Sequence, residues 1–427
     1  MPSSRNRSTQ EPVVRLREHL GFRRFWGAST ISGFGSYVLS LAIGVLVVVD
    51  LEGSATDVGW VNAARWAPYL LVGLVAGVLA DRVRRKPLLV STDLGRAVLL
   101  GTVPLLASTG ALTVWTLVVL LFVLGLLSVC NDAAHQSFLP RLLPVSCLQR
   151  ANTRLQQSDA VAQTSAPMLA GGLVAWLGAP LVVLIDAVSY LLSGLLVLAT
   201  PVDDPRPPRS ARGAGAVVTE LREGLRWIHR HPTLRPLALS GYAWFFFNGI
   251  LGTVYVPYAL LELEIGAVGL GITMSVAGAG ALIGTSISER LGRRLGIART
   301  LTAARLVEAA GFAVVAFLPG AWSPGTTGAV AAAGLGQLLF GLGLGAEGPI
   351  ELSYRQAVTP DRLQGRTNAT MRSLNRAAIV VGAPLGGLLA GATSSRAALA
   401  VGAAGIAVGA VALGASRFRR AGRDVPG

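Results

Sequence analysis

Four arginines stand inside otherwise apolar stretches of this 427-residue chain: Arg65, Arg96, Arg305 and Arg376. Around two of them, polar and aromatic residues recur at helical spacing. Asn62, Arg65, Trp66 and Tyr69 fall at i, i+3, i+4 and i+7, so one helix face would carry all four. Asn368, Arg372, Asn375 and Arg376, at i, i+4, i+7 and i+8, likewise share one helix face. Guanidinium groups beside amides and rings can bind a polar or anionic guest, or stack on its flat faces. They can equally be held in interhelical ion pairs with no guest. The other two arginines have an acid three residues away, Asp93 before Arg96 and Glu308 after Arg305, and structural pairing is expected there. Tyr242, Trp244, Phe245, Phe246, Asn248 and Tyr255 offer rings around a polar stretch, which suits a flat or macrocyclic guest or an ordinary packed core. Four carboxylates could carry a proton: Asp57, Asp186, Glu308 and Glu347. Asp186 shares a polar face with Ser189, Tyr190 and Ser193.

Other chemistry finds little support. The four histidines, His19, His135, His229 and His231, form no metal or triad pattern, so no metal and no cofactor is expected. A phosphate-binding loop needs Gly-Lys, and the single lysine, Lys86, follows Arg85. The glycines at 341, 343 and 345 sit in an apolar run with no strand before them, and helix packing explains them better than nucleotide binding. An enzyme is not expected.

The elements that must hold these residues follow from composition. The chain is 52% hydrophobic and 14% charged, against about 25% charge in soluble domains. Apolar runs of about 20 residues, the length that crosses about 30 Å of hydrocarbon, recur along it. We read twelve: 25–49, 57–80, 88–108, 113–135, 158–178, 180–200, 236–258, 267–288, 298–318, 326–347, 370–393 and 396–415. The fold class is therefore an all-α membrane protein. An arginine at mid-span costs roughly 2.5–3.5 kcal/mol on insertion scales, so each of the four needs a partner or water.

Counting basic residues in alternate loops orients the chain. Of 37, thirty-two lie on the side that carries both termini, one, Arg396, lies on the other, and four are within spans. Positive residues stay in the cytosol, so both termini are placed there, in a cell membrane. The same asymmetry accounts for the net charge of +15 without nucleic acid. The first 24 residues lack the apolar core of a cleavable signal, and Val13 to Phe25 reads as a short amphipathic segment lying flat before the first span. Cys130 and Cys147 fall at cytosolic span ends and should remain reduced. The arginine bias fits a GC-rich, bacterial source.

The stretch 201–235 is the longest loop. It opens with prolines and arginines, then places Val217, Val218, Leu221, Leu225 and Ile228 on one helical face, as an amphipathic helix on the membrane surface would. It divides the chain into a cytosolic N-terminus (1–24), a six-helix bundle (25–200), a linker (201–235), a second bundle (236–415) and a tail (416–427). The halves repeat. Gly73, Gly77, Asp81, Arg82, Arg85 and Lys86 correspond to Gly280, Gly284, Glu289, Arg290, Arg293 and Arg294. Ser137, Pro144, Arg150 and Asn152 recur as Ser353, Pro360, Arg366 and Asn368, and Arg96 as Arg305. The glycine pairs have the small-xxx-small spacing of closely packed helices.

Gly77-Val-Leu-Ala-Asp81-Arg82-Val-Arg84-Arg85-Lys86 resembles the signature loop of the major facilitator superfamily, with Arg84 where a second glycine is usual. Phe22 to Trp26, Asn131 to Asn152, Glu220 to His229 and Arg355 to Gly391 resemble its enterobactin-exporter and macrolide-efflux group. The resemblance implies two pseudo-symmetric six-helix bundles with spans 2 and 11 beside a central path. It makes Arg65 and Arg376, with Asn62, Trp66, Tyr69, Tyr242, Phe245, Asn248, Tyr255 and Asn375, candidates for lining that path. It implies a conformational latch of Gly77, Asp81, Arg82, Arg85, Lys86 and Asp132, with Glu289, Arg290 and Arg293 as its second-half copy. Asp132 is the expected partner of Arg85. The implied function is secondary export of a siderophore- or antibiotic-like molecule by alternating access and proton antiport, with protons and membrane lipids as partners and a monomer as the working unit. Arginines near the path favour an anionic or neutral polar substrate. A lipid or lysophospholipid transporter of the same fold and a non-transporting membrane sensor are the alternatives.

Overall fold

The computed structural model describes residues 16, 18–73, 83–202, 204, 214–317 and 327–421. Among them there are thirteen α-helices and no strand. Twelve follow the apolar runs: α1 (Leu20–Val45), α2 (Ala55–Leu71), α3 (Arg85–Ser108), α4 (Val114–Leu142), α5 (Val145–Leu177), α6 (Ala179–Leu198), α7 (Leu234–Pro257), α8 (Gly266–Leu295), α9 (Ile297–Ala316), α10 (Thr327–Val358), α11 (Asp361–Ala392) and α12 (Ser395–Ala415). The thirteenth, Ala214–Arg230, is the linker helix. Ten are long and apolar enough to span a membrane on those grounds alone. Of the other two, α2 is described only to Leu71, and α9 carries Arg299, Arg305 and Glu308 within 20 residues.

Local sequence sets the helix ends. Ser54 and Asp57 form a reciprocal capping box that starts α2. Pro144 and Pro360, paired by the repeat, occupy the same position, the N-cap of α5 and of α11. On the linker side several helices run past the apolar stretch. α5 begins at Val145 and α11 at Asp361, and α10 continues to Val358. These polar turns lie where water replaces lipid, so hydrophobicity did not reveal them. The N-terminal expectation changes too: α1 begins at Leu20, capped by His19, which accepts from the Phe22 amide at 3.1 Å. Phe22 and Phe25 are buried against α4 and α6 residues, so Leu20 to Phe25 is the first part of a span and no flat segment. Residues 13–15 lie outside the described part.

α1–α6 pack on one another, as do α7–α12, and the two bundles meet chiefly through α2 against α11 and α5 against α8. The linker helix packs on α11: Gly224 faces the backbone of Arg366, Arg366 pairs with Glu223, and Ile228 is buried beside Ala238 and Met371. The described apolar end of this helix therefore seats on protein, where a lipid-facing surface was expected.

The side away from the linker is shut by two seams of close backbone approach. A Cβ on Gly59 would stand 2.7 Å from the Ala383 carbonyl oxygen, and one on Gly387 would stand 2.4 Å from that of Ala55. Between α5 and α8, Gly171 faces Ala267 and Gly271 faces Pro167, each with room for no side chain. The Met168 amide also donates to Ser275 Oγ across this seam at 2.9 Å.

Candidate functional site

On α2 and α11 the predicted arginine faces do meet. The Arg376 guanidinium lies 3.7 Å from the Tyr69 ring centroid and 5.3 Å from that of Trp66, which Arg65 approaches at 5.9 Å. These are cation–π contacts, worth most where water is excluded. Tyr69 donates its hydroxyl to Asp132 Oδ2 at 2.8 Å. Asp132, expected to hold Arg85, thus has its hydrogen bond from α2. Asn62 donates to Thr253 Oγ1 of α7 at 3.3 Å and ties the bundles together.

Beside this group, on the linker-side half of the first bundle, lies a polar cavity of about 380 Å³. Ser29, Ser32 and Ser36 of α1 form one wall, Asp132 and His135 of α4 a second, and Ser158 and Asp159 of α5 a third. Arg96 and Tyr190 also line it. The walls are held by hydrogen bonds. Trp26 Nε1 donates to Ser158 Oγ at 2.9 Å, Ser29 Oγ and His135 Nε2 are 2.8 Å apart, and Tyr37 donates to Asp159 Oδ1 at 3.2 Å. Arg96 is ion-paired with Asp93 and stacked 4.1 Å from the Tyr190 centroid. Asp93 also accepts from Asn131 at 3.1 Å and Ser193 at 2.8 Å. Asp132 and Asp159 have only tyrosine donors. Among the described residues, neither has an ion-pair partner within 4.0 Å. Two carboxylates facing one polar cavity, neither ion-paired with the Arg96 that also lines it, form a locus for a positively charged guest.

The repeat-related site in the second bundle is built differently. Arg305 Nε donates to Glu347 at 2.7 Å and its Nη2 to Glu351 at 3.1 Å, while Nη1 reaches Ser240. Glu351 also pairs with Arg355 at 3.3 Å. The expected Arg305–Glu308 pair gives way to these α10 acids. Glu308, fully buried, accepts from the Trp244 indole, and its Oε1 has no hydrogen-bond partner. Asp186 is alike: buried, it accepts from Ser189 at 2.8 Å and leaves Oδ2 without one. Asp57 belongs to its capping box and Glu347 to Arg305, so these two proton candidates have structural duties.

The remaining candidates scatter. Tyr255 is buried, donates to Thr273 at 2.7 Å, and faces the second bundle's own core. Tyr242 packs beside Ile228 and Met371, and Phe245 stands edge-on to Trp244 at 4.7 Å. Asn248 is half-buried on the same helix, and Asn375 leaves its buried side-chain oxygen without a partner. Of the latch, Gly77, Asp81 and Arg82 lie outside the described residues. Arg85 is buried at the start of α3. Lys86 instead ties to the linker and to the end of the first bundle, its amide donating to Asp204 and its Nζ to the Thr200 carbonyl, both at 2.9 Å. Glu289 and Arg293 pair on an exposed helix face, with Arg290 exposed beside them. Of the glycine pairs, Gly280 and Gly284 press on the α10 backbone, and Gly341 and Gly345 return the contact.

Sequence reasoning missed His135, Asp159 and the serine wall as site residues. Ser29, Ser32 and Ser36, at i, i+3 and i+7 in an apolar span, were the signal available.

Two bundles in one orientation, a shut seam on one side and a polar cavity toward the other define a membrane-embedded transporter. The sequence profile of the Major Facilitator Superfamily matches residues 25–375, and the chain belongs to that family. It is 26% identical over 399 residues to an uncharacterized MFS-type transporter, YfiS, of Bacillus subtilis, covering 89% of each chain. It is 26% identical to the multidrug efflux pump Tap of Mycolicibacterium fortuitum, covering 87% of this chain and 88% of that one. Over 242 residues, 56% of each chain, it is 23% identical to macrolide efflux protein A of Streptococcus pyogenes. In fold it is similar to a bacterial homologue of the lysosomal transporter Spinster in an inward-facing state, with a TM-score of 0.68 at 16% identity, covering 96% of this chain and 99% of that one.

Proposed function

We propose that the chain is a secondary exporter that moves a basic, hydroxyl-bearing small molecule out of the cell by alternating access in exchange for protons. The linker side is the cytosolic side in this reading, as the distribution of arginines requires. The structure is then the inward-facing member of the cycle, its outer side closed by the glycine seams and its cavity toward the cytosol. The observation that supports the substrate class is the cavity's pair of carboxylates, Asp132 and Asp159, each outside any ion pair among the described residues and set among serine hydroxyls. An ammonium would pair with either carboxylate, and hydroxyls would exchange hydrogen bonds with the serines. This reading differs from the anionic or neutral polar substrate expected from the arginines. Arg376 acts on the site indirectly, by fixing Tyr69 and through it Asp132. The similarity to multidrug and macrolide efflux proteins supports the outward direction.

Proton exchange needs a carboxylate that can become neutral as the bundles move. Asp186 and Glu308 fit, each buried with one oxygen lacking a partner. The test is uptake by inside-out-oriented proteoliposomes under an imposed pH gradient. The probes are a labelled macrolide with its basic amino sugar and the same macrolide without that sugar. Accumulation of the first alone, abolished by Asp132→Asn and by dissipating the gradient, is the expected result. Equal movement of both compounds would contradict the substrate class, and movement indifferent to the gradient would contradict proton coupling.

A further inference from the structure

A second cavity lies far from the substrate path, on the linker side between α9 and α12. Its volume is about 660 Å³, and it is lined by Ala298, Arg299, Thr302, Ala303, Leu306, Gly414, Arg419 and Arg420. The three arginines are exposed, and among the described residues none has an ion-pair partner within 4.0 Å. The rest of the lining is small or apolar apart from Thr302, whose hydroxyl is turned to the Ala298 carbonyl at 2.9 Å. The cavity therefore has a basic rim and an apolar floor.

The rim is built rather than frayed. Arg417–Arg420 form a single 3₁₀ turn, started by Ser416, whose Oγ accepts from the Phe418 amide at 3.1 Å. Phe418 is fully buried, edge-on to Tyr354 at 5.4 Å. Burial of that one ring anchors the turn, so Arg419 and Arg420 are held over the groove toward Arg299. Leu306 lies two turns deeper on α9, about 10 Å along the helix. On α12, Val408 and Val411 are exposed, as lipid-facing residues would be. Arginines at a membrane boundary above an apolar groove have the charge and shape of a site for a phosphate headgroup with its acyl chain.

We infer that this groove binds an anionic phospholipid of the linker-side leaflet, with its phosphate among Arg299, Arg419 and Arg420 and an acyl chain along Ala303 and Leu306. The bound lipid would clamp α9 to α12 and the tail to the second bundle. The inference is independent of the substrate.

The test uses the full-length protein in a neutral detergent. Phosphatidylglycerol, phosphatidylcholine with the same acyl chains, or inorganic phosphate is added. Retained lipid is read by native mass spectrometry and stability by thermal unfolding. Wild type should retain phosphatidylglycerol and unfold at higher temperature with it, and should respond to neither of the others. Arg299→Gln/Arg419→Gln/Arg420→Gln should need at least roughly tenfold more phosphatidylglycerol for the same shift, the loss of about 1.4 kcal/mol. Arg230→Gln/Arg235→Gln, which removes two exposed arginines elsewhere on that side, should behave as wild type. If the triple variant fails to fold, Arg420→Gln alone should show a smaller loss in the same direction. Equal retention by the variants and wild type would overturn the site. An equal response to phosphatidylcholine or to inorganic phosphate would overturn the anionic lipid as its occupant.

Discussion

The two bundles place a buried arginine at the same point of the repeat and surround it in opposite ways. Arg96 has one acid, Asp93 on its own helix, lies over the Tyr190 ring, and borders an open cavity. Arg305 is held by two acids of a neighbouring helix and by Ser240, and is 2% exposed. The first arrangement leaves polar capacity for a guest, and Asp132 and Asp159 add negative charge to it. The second satisfies its guanidinium internally and locks α9 to α10 and α7. The repeat thus kept the cation and changed its partners: one half keeps an open polar surface, the proposed binding site, and the other satisfies its cation internally.

The largest effect expected from breaking this contrast is in the second bundle. Glu347→Gln or Arg305→Ala leaves a buried charge without its partner, which costs about 3–5 kcal/mol. Loss of folded protein, seen as early aggregation on size-exclusion chromatography, should result. Arg96→Gln should be milder, because a cavity can admit water to Asp93, and the variant should remain monodisperse. Next comes transport: Asp132→Asn and Asp159→Asn should each weaken binding of a basic substrate by roughly ten- to a hundredfold, the worth of a charge-assisted hydrogen bond, while thermal unfolding is little changed. Gly387→Leu puts a side chain where the Ala55 carbonyl lies, so the outer seam cannot close. Labelling by an impermeant thiol reagent at a cysteine placed at Thr56 should then rise several-fold. Smallest is Glu289→Gln, which removes an exposed i, i+4 pair and should alter stability by no more than about 0.5 kcal/mol.

Much of this architecture is legible in the chain itself. The twelve helices follow the apolar runs, because lipid demands a continuous apolar surface, and the Arg65–Trp66–Tyr69 face meets Arg376 as helical spacing implies. Asp93 with Arg96 is equally plain, being a contact within one helix. Arg305 was not: its partners stand 42 and 46 residues away, and no local spacing selects them over Glu308. Asp159 escaped notice because the linker-side half of α5 is polar and shows no apolar period, so its inward-facing side could not be told from a solvated one. Asp57 looked like a membrane carboxylate until its capping box with Ser54 gave it another role.

If the bundles rock about the cavity, inter-bundle distances must change in opposite senses on the two sides of the membrane. Spin labels at Arg154 and Arg290 would report on the linker side, and labels at Ser108 and Thr393 on the opposite side, in a background lacking Cys130 and Cys147. All four positions are exposed. Electron–electron resonance in nanodiscs should show the linker-side pair shortening and the opposite pair lengthening together when a basic substrate is added, with Asp132→Asn suppressing both changes. Distances on the two sides that stay fixed, or that lengthen together, would contradict alternating access about this cavity.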